Sequence, residues 1–149
     1  MTQVAALLDT EALSLMMRND QRVVSRVQAY LAVHGQVTIS IITRYEVLRG
    51  LEAKQAWKQR SAFETLCAAM QVMSLSDGVV VRAAAIYGDL HQRGDLIGDA
   101  GILIAATAME HGLALVSNNE RHLRRIADLA LDNWAPRRQR PCPVSAATS

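Results

Sequence analysis

Short apolar runs alternate with helix-patterned segments along the first 134 residues, and that alternation limits the fold more than any other feature of the chain. Val4-Ala5-Ala6-Leu7-Leu8 is an apolar run of strand length that closes on Asp9. Val23, Val27, Tyr30 and Leu31 then recur at i, i+4, i+7 and i+8 ahead of Gly35, the pattern of a helix ending on a glycine. Val37-Thr38-Ile39 is β-branched and reads as a strand, with Ser40 placed to cap a helix carrying Tyr45, Glu46, Leu48 and Leu51. An Ala- and Gln-rich helix follows over about 55–69, then a short strand at 72–75. Asp77 is placed to cap a helix with Val79, Ala83, Ile86, Tyr87 and Leu90 on one face. The remainder predicts an apolar helix at 102–111, a strand at 113–116, a helix at 119–126 and a last short strand at 129–131.

Strands alternating with helices imply an α/β fold, in which a parallel sheet of four or five strands is covered on both faces by right-handed crossovers. In such sheets ligands bind at the carboxyl ends of the strands. Asp9, the stretch 40–46 and the stretch 117–119 are thereby expected at one edge.

A chain of 149 residues supports one domain with a real core. No apolar run reaches the length needed to span a bilayer, and 4–8 is too short and lacks the preceding basic residues of a signal peptide. A cytoplasmic protein away from any membrane is expected. Cys67 and Cys142 lie far apart, outside any metal-ligand spacing, which suits a reducing compartment. Cys67 reads as a small buried hydrophobe on a helix, and Cys142 as an exposed free thiol. All three prolines fall after residue 135, beside Arg137, Arg138, Arg140 and a closing Ser/Ala/Thr run, so the predicted domain is 1–134 and 135–149 is expected to be a disordered tail. The formal charge is +2, but those three arginines face no acidic residue in the tail, leaving residues 1–136 at −1. A nearly neutral body argues against a broad nucleic-acid stripe and leaves room for a small basic rim around an acidic site.

Each candidate residue has a plain reading beside a chemical one. Asp9 is placed to cap a helix starting near Glu11 as well as to present a carboxylate at a strand tip. Glu46 lies beyond capping range, with Arg44 and Arg49 as available ion-pair partners. Asp99 precedes the helix that contains Ile104-Ala105-Ala106-Thr107-Ala108, where the macrodipole favours an acid. Ser117 and Asn119 leave a strand into a polar turn and can cap the helix that follows.

Taken together and in order, Leu7-Leu8-Asp9-Thr10, Tyr45-Glu46-Val47-Leu48-Arg49-Gly50, Ile97-Gly98 leading into Ile104 to Ala108, Val116-Ser117-Asn118-Asn119 and Leu131-Asp132-Asn133-Trp134 resemble the PIN-domain ribonucleases of the VapC toxin type, across residues 4–134. The resemblance implies a PIN-like three-layer α/β/α fold and an endoribonuclease that uses Mg²⁺ or Mn²⁺ to cut structured RNA, such as a tRNA or an rRNA loop. It also implies the toxin half of a type II toxin–antitoxin system, a cognate antitoxin partner and a homodimer. Carried onto this chain, Asp9 matches the first-strand metal aspartate, Glu46 the helix glutamate, Asn119 the Asp-or-Asn position after the fourth strand, and Ser117 the accompanying Thr or Ser. The remaining acidic position is Gly101, where the family reads Ile-Gly-Asp-x-Asp and this chain reads Ile97-Gly98-Asp99-Ala100-Gly101. Glu11 also departs from the Asn common two residues after the first aspartate.

Hard oxygen donors suit Mg²⁺, which activates water and offsets charge developing on phosphate oxygens. Losing one ligand is expected to cost on the order of 10²-fold or more in rate. Asp99 is the nearest substitute and a candidate ligand at the periphery of the site or through water, yet positions i and i+2 on a helix point about 200° apart, so it is not expected to replace a carboxylate at 101 in full. A nuclease impaired by Gly101 is therefore the leading reading. Its alternatives are a PIN-fold binding or regulatory module that has lost catalysis, and a phosphotransfer domain with Asp9 as nucleophile, which lacks the second aspartate that chemistry uses two residues on.

Overall fold

The computed structural model of the chain describes residues 4–136. Five strands, β1 (Ala6–Leu8), β2 (Thr38–Ser40), β3 (Gln71–Met73), β4 (Ala114–Val116) and β5 (Leu131–Asp132), form one sheet in the order β3-β2-β1-β4-β5. Every pairing is parallel, so all five carboxyl ends share one edge.

The seven helices among the described residues are α1 (Thr10–Met17), α2 (Gln21–His34), α3 (Ile41–Ala53), α4 (Trp57–Ala69), α5 (Asp77–Arg93), α6 (Asp99–Glu110) and α7 (Glu120–Leu123). Alternation along each strand divides the core into two layers. Ala6, Leu8, Ile39 and Val116 face α1, α2 and α4, packing on Leu13, Val27, Tyr30 and Phe63. Leu7 and Leu115 face α5 and α6, packing on Val79, Leu90, Ile102 and Ala105. This is the three-layer α/β/α arrangement, and the buried Cys67 takes its expected place on α4.

Local signals set most boundaries. Ser40 accepts from the backbone N–H groups of Ile42 and Thr43 (3.0 and 3.3 Å) and starts α3. Gly35, at φ 77°, ends α2 in the left-handed conformation that glycine adopts without steric cost. The buried Tyr30 hydroxyl accepts from Ala6 N at 3.0 Å and donates to Ala6 O at 3.3 Å, satisfying both polar groups of a residue that begins β1.

Several boundaries differ from those expected. Ser76, not Asp77, caps α5, because its hydroxyl accepts from Val79 N at 3.2 Å and Asp77 becomes the first helical residue. Gln55 has φ 52°, which breaks the chain between α3 and α4 and moves the start of α4 to Trp57. Strand β3 lies one residue before the expected start because Thr38 pairs with Gln71. Strand β5 comes later than expected because Leu115 pairs with Leu131 and Val116 with Asp132. Helix α7 stops at Leu123, where i→i−3 bonds from Arg125 and Ile126 tighten the chain into a turn. Of the tail expected at 135–149, Ala135 is instead buried beside Trp134 and Pro136 O accepts from Arg22 at 3.2 Å, so the ordered chain runs past the expected boundary at 134; residues 137–149, with Cys142, lie outside the described residues.

Candidate active site

Strand β1 delivers Asp9 to the shared carboxyl edge, where its backbone N–H donates to Val116 O at 3.0 Å. Both readings of Asp9 hold at once. Its Oδ1 accepts from Ala12 N at 2.8 Å and caps α1, while the carboxylate also receives a hydrogen bond from the Ser117 hydroxyl. Asp9 is 9% exposed. Desolvation pushes its pKa up to about 6, against the opposing pull of Ser117 and the α1 backbone, and neighbouring Glu11 adds a smaller upward push.

Glu46 reaches the same place from the second turn of α3. The Thr10 hydroxyl donates to Glu46 Oε1 at 2.7 Å, and Arg49 lies 3.4 Å from Oε2. The ion pair expected for Glu46 therefore goes to Arg49, since Arg44 turns the other way and grips both oxygens of Glu64 at 3.0 Å. Thr10 Oγ1 is also 3.2 Å from the buried Thr43 hydroxyl, so one residue links the first turn of α1 to α3 twice.

Ser117 follows β4 and is fully buried. Its backbone N–H donates to Asp132 O at 3.0 Å, and its hydroxyl accepts from Asn119 N at 2.9 Å while bonding Asp9. That single side chain thus fixes the Asn119 turn against the strand tip. Asn119 makes no side-chain cap on α7; its Oδ1 pairs with His122 Nδ1 at 2.7 Å.

A cleft of about 160 Å³ gathers these groups, with Asp9, Glu11, Glu46, Gly101 and Asn119 in its lining and Ile104 and Leu115 on its apolar side. Asp99 does not line it. Gly98 occupies the cap position of α6 and Asp99 the first helical position, so Asp99 has neither the capping role nor a place in the cleft wall. Gly101 stands in that wall instead. A Cβ built there meets only Ile97 Cδ1, at an ordinary 3.5 Å, and the backbone has no positive φ that would require glycine.

Three residues that sequence reasoning left without a role also border this site. Thr10 orients Glu46, Glu11 lines the cleft, and His122 holds the Asn119 amide. With its nitrogen turned toward Glu11, the Asn118 amide donates to both carboxylate oxygens, at 2.8 and 2.7 Å. The spacing of Asp9 to Glu11 and of Asn119 to His122, each within one helical turn, was the available signal.

The donor set fits a hard divalent cation in kind, being carboxylate and amide oxygen in a partly enclosed acidic cleft. It is short in number. Among the described residues no three His, Cys, Asp or Glu side chains gather closely enough to hold a metal ion.

The PIN domain family matches residues 6–129. Ribonuclease VapC2 of Haemophilus influenzae strain Rd is 32% identical over 102 residues, 67% of this chain and 76% of that protein. The tRNA(fMet)-specific endonuclease VapC of Shigella flexneri is 26% identical over 102 residues, 68% of this chain and 77% of its own. Among solved structures, VapBC-1 of nontypeable Haemophilus influenzae superposes with a TM-score of 0.78 at 25% identity, covering 87% of this chain and 98% of that one.

Proposed function

The chain belongs to the PIN-domain family, among the VapC ribonucleases, and on that premise we propose that it is the toxin of a type II toxin–antitoxin pair, a Mg²⁺- or Mn²⁺-dependent endoribonuclease weakened by Gly101. The observation that carries this reading is the cleft at the sheet's carboxyl edge, lined by Asp9, Glu46 and Asn119 together with a glycine at which a Cβ would make only one ordinary contact.

In this reading Asp9, Glu46 and Asn119 hold the ion, and Asp99, outside the cleft lining, does not ligate it directly. When bound, the ion supplies Lewis acidity toward a phosphate oxygen and an activated water. The chain's own residues do the positioning. Ser117 fixes Asp9 and the Asn119 backbone, Thr10 orients Glu46, and the apolar wall of Ile104 and Leu115 limits water at one side. Only two of the intended carboxylates remain among the assigned ligands, so ion affinity and water placement both suffer.

The substrate is a structured RNA of the tRNA or rRNA-loop class. A relative named as a tRNA(fMet)-specific endonuclease supports that choice. A cognate antitoxin, as the VapBC neighbour suggests, inhibits the protein in the cytoplasm, and the resemblance to VapC toxins supports a homodimer. No helix among the described residues is long and apolar enough to cross a membrane.

The deciding experiment is cleavage of total cellular RNA by this protein and by Gly101→Asp, with and without Mn²⁺. Metal-dependent cleavage that rises sharply in the Asp form supports the reading. Two folded, equally inactive proteins would favour the second reading that Gly101 invites, a PIN-fold binding module that no longer cuts.

A further inference from the structure

A second, larger groove adjoins the acidic cleft and plays no part in the chemistry above. It lies between α1 and α3, encloses about 510 Å³, and meets the cleft at Thr10 and Glu46, which line both. Its walls follow helical spacing. Thr10, Ser14 and Arg18 descend the α1 side four residues apart, and Glu46, Gly50 and Lys54 descend the α3 side at the same interval. Each row starts at the acidic cleft and ends on a cation two turns away, about 12 Å along α3 at the helical rise.

Those two cations are uncommitted. Eight described arginines are each held by a carboxylate. Arg18 has only a 3.4 Å contact from Nε to the Ser14 carbonyl, and neither it nor Lys54 forms an ion pair among the described residues. In a body of nearly neutral charge, two free cations at the end of a groove that opens from an acidic cleft form a local basic rim.

Gly50, midway along the α3 row, adds an independent observation. Glycine in a helix interior is unfavourable, and a Cβ at position 50 would meet nothing within 4 Å. Nothing inside the chain requires its absence, and the bare backbone keeps the groove wall low. Met17, Val47 and Leu51 supply apolar surface between the polar rows.

We infer that the α1–α3 groove carries the single RNA strand flanking the cleavage point, with Arg18 and Lys54 binding its backbone phosphates. The inference rests on the ribonuclease reading and adds to it a path for the substrate. An acidic cleft without a bound cation repels phosphate, so the strand needs an anchor beyond it, and a lysine and an arginine at one end provide one. The occupant is an unpaired strand because proteins that read RNA by sequence bind loops and other single-stranded segments, whose bases are free to be contacted.

The test uses the full chain and a short fluorescein-labelled single-stranded RNA of mixed sequence, titrated by anisotropy in EDTA over a series of salt concentrations. The double variant Arg18→Gln/Lys54→Gln is expected to bind about tenfold more weakly at low salt. Its plot of log Kd against log salt should be flatter by about 1.4, the share of two phosphate contacts on a single strand. The variant Lys58→Gln/Arg82→Gln, with the same charge change outside the groove, should match the parent protein. Equal RNA binding by parent and groove variant overturns the inference and leaves the ribonuclease reading intact. Absence of RNA binding by every protein also overturns the inference, and the ribonuclease reading is then decided by the cleavage assay with Mn²⁺ alone. Unchanged RNA affinity with lost capture of the coexpressed antitoxin assigns the groove to that partner and likewise overturns the inference.

Discussion

The Thr10 hydroxyl donates to Glu46 Oε1 at 2.7 Å, joining the first turn of α1 to the second turn of α3 across the mouth of the acidic cleft. A hydrogen bond to a carboxylate contributes about 1.5–3 kcal/mol when well shielded. Glu46 is 19% exposed, so the lower part of that range applies. Thr10→Val keeps the side-chain shape and removes the donor, and should lower stability by about 1–2 kcal/mol in urea titration. Thr10→Ser should retain most of it. A Thr10→Val protein as stable as its parent would show that Glu46 is held well enough by Arg49 alone.

Gly101→Asp should be accepted by the fold, since the new Cβ makes one ordinary contact with Ile97. Its position in the first turn of α6 also favours an acid by about 0.3–1 kcal/mol. In metal-free buffer, repulsion from Asp9 and Glu46 opposes that gain, and the melting temperature should move little. Adding Mn²⁺ should then raise the melting temperature of the Asp form more than that of the parent, because only binding to the folded state stabilises it. Equal shifts in the two proteins would mean that position 101 does not contribute to ion binding.

Asp9 provides a pH signature independent of catalysis. Its carboxyl is raised from an ordinary 3.8 to about 6 in the folded protein, chiefly by burial. The native state therefore binds more protons than the unfolded state between those values. The contribution to stability is fully present below about 3.8 and is lost as pH rises through about 6. The loss amounts to at most about 3 kcal/mol at 1.36 kcal/mol per pKa unit. Asparagine caps a helix about as well as aspartate, so Asp9→Asn in metal-free buffer should be the more stable protein at neutral pH, with the difference closing near pH 4. A difference that is flat with pH would place the cause in packing rather than ionisation.

The sheet edge was legible in the sequence because Asp9, Ser40 and Ser117 each end an apolar or β-branched run, and a parallel sheet brings those ends together. Strand limits were less legible. Residues at β3 and β5 join the sheet through partners distant in the chain, and Val116 sets the place of Asp132 more firmly than local composition does. The site followed the same division. Asp9 and Glu46 were visible as acids at characteristic places, whereas the Thr10 to Glu46 bond spans 36 positions and has no local pattern. Asp99 was readable as an acid two residues before the expected position, and the divergence of positions i and i+2 on a helix agrees with a cleft wall that includes Gly101 and not Asp99.

Trp134, near the end of the described chain, should matter far more than the residues after it. It is 4% exposed, its Nε1 donates to Asp132 Oδ2 at 3.1 Å, and its ring lies 5.7 Å from that of Tyr30. Tyr30 in turn satisfies both backbone groups of Ala6, so the indole supports the strand that delivers Asp9. Trp134→Ala should cost about 3–5 kcal/mol, the usual range for emptying a buried aromatic site. Ala135 is buried beside it and Pro136 O accepts from Arg22 at 3.2 Å, so a neutral truncation has to fall after residue 136 rather than directly after Trp134. Residues 137–149 are rich in Arg, Pro, Ser and Ala without apolar periodicity, and removing them should shift the melting temperature little. Calorimetry of the two variants against the full chain separates the roles. A large drop on truncation after Pro136 would mean that the tail docks on the domain and contributes to its stability.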